Sequence, residues 1–293
     1  MNPPEKVFSL GVWYMLAATF LFTLMNIFVK LVPHIPVMEI ILFRSLISLI
    51  MSYSVIRYNK ISPWGNNKRF LFLRGFFGVL ALVLYFTTLQ NMPLASAVTI
   101  RYLTPIFTAM FGIYLLGEKV FKTQWLFFAM SLAGIILIKG FDTRISTIHF
   151  LMGVGSAFFS GIAYNSIRKL RFTDHPMVII MYFPIIALPF CIIYSFFDWV
   201  TPVGLDWLYL LLIGILTQFA QYFMTKAYQA DEAQKVSTIN YVGFIFALAA
   251  GIFIFDEHYS LKIIFGMLLV LGGVILNIFY KNYRYDRMTA KKD

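Results

Sequence analysis

The chain has 293 residues, of which 60% are hydrophobic and only 13% charged, with a net charge of +11 and a mean hydropathy of +0.78. Soluble domains carry about twice that charged fraction, so the composition excludes an ordinary soluble protein and points to a polytopic membrane protein. In such a chain an excess of Lys and Arg reflects loops retained on the cytoplasmic side, and no nucleic-acid partner is expected. The single cysteine, Cys191, excludes an intramolecular disulfide and a cysteine metal cluster.

Hydropathy predicts ten spans, at residues 9–31, 38–57, 69–90, 94–116, 122–140, 148–170, 177–197, 207–229, 233–255 and 261–280, followed by a basic cytoplasmic tail at 281–293. Met1 to Ser9 is short and polar and precedes a run long enough to span, so no cleavable signal peptide is expected. The first span carries Trp13, suited to the interfacial aromatic belt, and a polar face of Thr19, Thr23 and Asn26. The second carries Glu39 and Arg44, five residues and about 140° apart, which are poorly placed to pair within the helix. Tyr85 and Thr88 lie on the third. The fourth, LASAVTIRYLTPIFTAMFGIYLLGE, carries Arg101, Tyr102, Thr104 and Pro105 where lipid favours none of them. The fifth is uniformly apolar with glycines. The sixth has Ser156, Ser160 and Tyr164, and the eighth has a stripe of Gln218, Gln221, Tyr222, Thr225 and Gln229. The ninth has Asn240 and Tyr241, and the tenth is again apolar with Gly272 and Gly273.

The chain repeats itself at an offset of 139 residues. Thr99, Ile100, Tyr102, Ile106, Phe107, Gly112, Ile113 and Glu118 recur as Thr238, Ile239, Tyr241, Ile245, Phe246, Gly251, Ile252 and Glu257. Asn26 and Lys30 return as Asn165 and Lys169, Gln90 as Gln229, and Gly134 as Gly273. A duplicated unit of five spans, 9–140 and 148–280, follows. Of the 24 basic residues, 18 fall on one face of the membrane, Arg74 among them. Four (Lys30, Lys139, Arg144, Lys262) fall on the other, and two (Arg44, Arg101) lie inside spans, which accounts for all 24. That bias places both termini in the cytoplasm. Five spans per copy is an odd number, so the second copy sits inverted relative to the first. Inverted repeats are common in secondary transporters, with the substrate at the midplane between the halves.

These features resemble the drug/metabolite transporter superfamily, and within it the EamA-type ten-helix members, over residues 9–280. The resemblance rests on Phe43-Arg44, on Leu103 to Phe107, on Gly117-Glu118 and Asp256-Glu257, and on the glycines Gly134 and Gly272-Gly273. It implies an all-α inner-membrane carrier of a bacterium for a small metabolite, frequently an exporter. The second copy departs from the pattern where Phe244 replaces Pro105, so proline interrupts only one of the two central helices.

Arg101 is the sharpest candidate for substrate binding. It sits about 10 Å below the outer end of its span, where an unpartnered charge costs at least ~2–3 kcal/mol. It shares a helical face with Thr104, Thr108 and Gly112, whose counterparts are Asn240, Gly243, Ala247 and Gly251. Either it binds a carboxylate or phosphate of the substrate, or it snorkels outward or pairs with an acid such as Glu39. Tyr102, Thr104, Tyr85, Thr88, Asn240, Tyr241, Gln218, Tyr222 and Asn26 complete a candidate polar site. Arg44, Glu39 and Pro105 are read as gating or structural, with Glu39 also able to carry protons. Glu118 and Glu257 are read as turn anchors. The cavity is expected between the third, fourth, eighth and ninth spans, with the fifth and tenth at the periphery or in a homodimer contact.

Rival functions find less support. His34, His149, His175 and His258 have no metal-ligand spacing, and no nucleophile elbow is present, so neither catalysis nor a metal or other cofactor is expected. An organic-cation exporter of the same superfamily needs an embedded carboxylate, where the first span offers Asn26 and the deep charges are arginines. Amino acids and other zwitterionic or anionic compounds, vitamins and nucleoside-like compounds remain open as substrates.

Overall fold

The computed structural model describes residues 10–117, 121–170, 172–230 and 239–289, which are helices joined by short turns. In chain order the helices are α1 (Leu10–Leu31), α2 (Val37–Tyr58), α3 (Lys68–Asn91), α4 (Leu94–Arg101), α5 (Thr104–Leu116), α6 (Lys122–Phe141), α7 (Thr147–Leu170), α8 (Pro176–Ser195), α9 (Asp206–Ala230), α10 (Val242–Phe255) and α11 (Leu261–Thr289). Among the described residues nine segments are long and apolar enough to cross a bilayer, with α4 and α5 forming one of them. The shorter α10 lies within the predicted ninth span, whose first residues fall outside the described ones. The predicted tail does not leave the last helix at once, since α11 continues to Thr289.

Helices are what an apolar chain in lipid must form, because each satisfies its own backbone N–H and C=O groups. Polar side chains mark their ends. The Asn67 side chain accepts the Phe70 N–H at the start of α3, and His175 accepts the Met177 N–H at the start of α8. Gly117 ends α5 and Asp256 ends α10, both left-handed, with φ of 68° and 49°. Glycine takes that conformation freely, and aspartate is among the few other residues that tolerate it.

The helices interlock across the repeat. α1 packs on α9 and α3 on α7, while α2 packs on α8 and α6 on α11. In the last pair, a Cβ on Gly134 would lie 2.5 Å from the Gly266 carbonyl and 2.8 Å from the Val270 nitrogen. On Gly273, 139 residues on, it would lie 2.6 Å from the Phe127 carbonyl and against Ser131. The Ser131 hydroxyl donates to the Val270 carbonyl at 3.2 Å, and Gln124 donates to Asn277 at 2.7 Å. The glycines of the fifth and tenth spans therefore close these two helices on each other within one chain. Small residues let backbones approach, and here the approach is between two helices of the same chain.

Both central spans are interrupted. α4 stops at Arg101 and α5 starts at Thr104, with Pro105 in its first turn. Proline has no N–H for the carbonyl four residues back. The Arg101 carbonyl instead accepts the Thr104 hydroxyl at 2.7 Å. In the second copy a turn at Asn240 and Tyr241 precedes α10, although Phe244 stands in place of the proline. Phe244 N–H bonds to the Tyr241 carbonyl at 3.0 Å, and Gly243 N–H to the Asn240 carbonyl at 3.1 Å. Proline is thus not required for the second break. The Tyr102 and Tyr241 rings meet edge to face with centroids 5.0 Å apart, and the Tyr102 hydroxyl donates to the Asn240 carbonyl at 3.3 Å. The two interruptions support each other.

Gly134→Ala should therefore lower stability by about 1–3 kcal/mol through overpacking. Gly140→Ala, in the same helix with nothing within 4 Å of the added methyl, should leave it unchanged or raise it. Thermal unfolding of the two purified variants in detergent separates these outcomes.

Candidate functional site

A cavity lies among α2, α3, α4, α7, α8 and α9. It is lined by Arg44, Arg74, Tyr85, Arg101, Tyr164 and Phe183, together with Ser156, Ser160 and Gln221 and small or aliphatic residues. Its volume is about 50 Å³, room for only a few waters at ~10–15 Å³ each. The expected lining from the ninth span is absent among the described residues, while the second, sixth and seventh spans contribute.

Three arginines face this one cavity, and among the described residues no carboxylate lines it. Arg44 and Arg74 are each 6% exposed. The Arg44 guanidinium stands over the Phe183 ring at 4.7 Å and donates through Nε to the Thr217 hydroxyl at 3.2 Å. Arg74 approaches the same ring at 5.8 Å. Arg44 Nη1 and Arg74 Nε are buried without a hydrogen-bond partner. Arg101 is half-buried and stacks on Tyr85 at 4.3 Å, within reach of Tyr164. Aromatic faces give desolvated cations about 2 kcal/mol each, yet they leave the guanidinium N–H edges free to meet oxygen.

Arg74 was counted in the sequence with the cytoplasmic loop charges, and the structure corrects this. Its position six residues into α3 was the available signal, since that is about 9 Å of helix. All three arginines belong to the first copy. Their counterparts 139 residues on are Phe183, Ile213 and Asn240, none of them charged.

Other candidates are placed elsewhere. Glu39 is fully buried, and its Oε2 accepts the Val200 N–H at 3.1 Å, so it anchors a loop rather than neutralising Arg101. Gln218 is held by Ser48 at 2.6 Å and Ser52 at 2.9 Å, which makes it a bridge between α2 and α9. Tyr222 lines a second cavity with His175, Thr225 and Lys226 near the ends of α2 and α9. Thr88 is buried against α7, its hydroxyl returned to the Leu84 carbonyl at 2.6 Å. Thr104 bonds the Arg101 carbonyl, and the break before it removes the continuous face that Arg101, Thr104 and Thr108 would share on an unbroken helix. Asn240 is exposed and accepts the Thr19 hydroxyl at 3.2 Å, while Tyr102 and Tyr241 pack on each other. Asn26 is buried beside Tyr85.

Arg101 is positioned from the far end of its own helix. The Leu94 N–H at the start of α4 donates to both carboxylate oxygens of Glu257, at 3.0 and 2.9 Å. Lys30 pairs with the same carboxylate at 2.9 Å, and Tyr259 donates to it as well. Glu257 is 8% exposed. Its expected role as an anchor is the one it has here; Glu118 lies outside the described residues. A carboxylate at the N-terminus and a guanidinium at the C-terminus both suit the helix dipole of α4.

The EamA-like transporter family model matches residues 9–140 and again 147–279. The chain belongs to the EamA-like transporter family. The pseudopaline exporter of Pseudomonas aeruginosa (strain UCBPP-PA14) is 30% identical over 271 residues, covering 91% of this chain and 95% of that protein. Solute carrier family 35 member G1 of Mus musculus is 34% identical over 268 residues, covering 85% and 73%. A solved crystal structure matches with a TM-score of 0.60 at 18% identity, covering 88% of this chain and 94% of the other, which shows the fold alone. As an EamA-like protein, the chain is a multi-span transporter of the inner membrane and not an enzyme.

Glu257→Ala should destabilise the protein by about 1–3 kcal/mol, because the Leu94 N–H loses its buried acceptor and Lys30 keeps only the Met92 carbonyl in place of its charge partner. Lys30→Met combined with Glu257→Leu should recover part of that loss. Thermal unfolding of the two variants measures both.

Proposed function

We propose that this protein carries a small zwitterionic or anionic metabolite outward across the inner membrane by alternating access between two inverted five-helix repeats, with both termini cytoplasmic. The observation that carries the reading is the cavity in which arginines and, among the described residues, no carboxylate face a narrow space between the repeats. Arg101 is the primary anchor for a substrate acid group. It is the most accessible of the three arginines, and the anchored helix α4 holds it in place. Tyr85 and Tyr164 flank it.

The inverted architecture is supported by the 139-residue offset. That offset relates the two family matches, the glycine contacts of α6 and α11, the left-handed helix ends and the two central breaks. The broken central spans supply a hinge at the depth of Arg101. Outward transport is supported by the exporter among its relatives. Arg44 has a structural share through Phe183 and Thr217, consistent with a role in gating, and Pro105 sets one hinge. The absence of a carboxylate among the described lining residues disfavours an organic-cation substrate.

Purified protein should gain thermal stability with carboxylate-bearing metabolites by mass action, and Arg101→Ala should remove that gain while unliganded unfolding stays cooperative. A shift with quaternary ammonium compounds alone, or a carboxylate shift that survives Arg101→Ala, would overturn the reading.

A further inference from the structure

We infer that the substrate carries at least two carboxylates, one held by Arg101 and a second by a separate station made of Arg44, Arg74 and Phe183. This deepens the proposed function and rests on it. Arg44 and Arg74 come from different helices and converge on one ring, 4.7 and 5.8 Å from its centroid. Arg101 stands on another ring, that of Tyr85. The cavity therefore has two cationic stations, each resting on an aromatic face.

Both arginines of the second station are almost wholly buried, and each has a guanidinium nitrogen with no hydrogen-bond partner. A buried donor left unsatisfied costs about 1–3 kcal/mol, and more when charged. None of the ion pairs among the described residues involves Arg44, Arg74 or Arg101. Like charges facing one space also repel. A structural role for Arg44 and Arg74 would supply an acid or a full set of acceptors. Arg44 instead has a single threonine oxygen, and Arg74 Nε has no acceptor.

The charge state of the ligand follows. A zwitterion brings its own ammonium and relieves none of the net repulsion. A monoacid satisfies one station and leaves the other bare. Two carboxylates satisfy both, and a planar carboxylate matches the two parallel N–H groups of a guanidinium. The aromatic rings hold the guanidinium planes by their faces and leave those edges available. The arginines of the two stations lie on helices α2, α3 and α4, so the spacing between the two acid groups is read by three elements of the first copy.

The test compares acid and amide pairs of equal size: succinate with succinamate, glutarate with glutaramate, and glutamate with glutamine. Glycerol 3-phosphate supplies a single dianionic group. Thermal stabilisation against ligand concentration is measured for the wild-type protein and for Arg44→Gln, Arg74→Gln and Arg101→Ala. Diacids should bind the wild-type protein at least about tenfold more tightly than their monoamides. Arg44→Gln or Arg74→Gln should erase that preference, and Arg101→Ala should abolish binding of both. If the glutamine variants do not fold, Arg44→Lys and Arg74→Lys keep the charge, and the diacid preference should shrink without vanishing.

Equal binding of acid and amide would overturn the second station while leaving transport of a monoacid or zwitterion standing. Glycerol 3-phosphate binding while the acid and amide pairs stay level would replace two carboxylate stations with one phosphate site. No stabilisation by any acid would overturn the proposed function as well.

Discussion

A guanidinium in the hydrocarbon region must meet water, a partner or a ligand, and this structure places three of them around one space. Insertion costs at least ~2–3 kcal/mol for each near the centre of a span. Phe183 and Tyr85 offset part of that through their ring faces. The rest of the site is arranged around the remainder: serines from α7, a glutamine from α9 and the Tyr164 ring line the walls, and carboxylates are kept at the helix ends. An acid within the cavity would satisfy the arginines permanently and leave nothing for a substrate to do.

The same constraint explains the broken helix. A continuous span would carry Arg101 partway along a ladder of satisfied backbone groups. Ending α4 at Arg101 puts the cation at a helix C-terminus, where the dipole favours it, while Glu257 meets the opposite end. α4 is therefore an eight-residue rod with a carboxylate from the second copy at its start and a cavity-facing cation at its tip. Any motion of the α10–α11 turn, which carries Glu257 and Tyr259, reaches Arg101 through that rod. Coupling between that end of the bundle and the cavity thus needs no long chain of contacts.

Much of the fold was legible in the sequence because period and offset are properties of the chain itself. Matched Asn, Lys, Gln and Gly pairs at 139 residues, such as Gly134 and Gly273, are read without coordinates. The site was legible in part. Arg101, Arg44, Tyr85, Ser156, Ser160, Tyr164 and Gln221 were singled out as polar groups at depth, and all line one cavity. Which polar residues turn toward that space is a question of helix rotation, and sequence does not answer it. Gln218 and Gln221 lie three residues apart on α9, yet one bridges to serines of α2 and the other faces the arginines. Arg74 was missed because a basic residue close to a span end is ordinarily a loop charge. The break before Val242 was missed because no proline announces it; the Tyr241 ring beside it packs on Tyr102 across the copies.

The lopsided distribution of charge also bears on energetics. An inverted repeat gives two packings of similar energy when its halves are alike, but here the first copy holds Arg44, Arg74 and Arg101 and the second holds Phe183, Ile213 and Asn240. On the proposed reading the charged contacts to substrate come from one half, and the other supplies the opposing wall. On the proposed reading, a substrate with two negative charges leaves a cell with a negative interior downhill, by about 2.3 kcal/mol per charge for each 100 mV of potential. Proton coupling would need a titratable acid beside the substrate. Glu39 is tied to the Val200 N–H and Glu257 to Lys30 and α4, both away from the cavity. For a polyanion moving outward the membrane potential suffices, and on the proposed reading the arginines, by selecting an anion, make export the downhill direction.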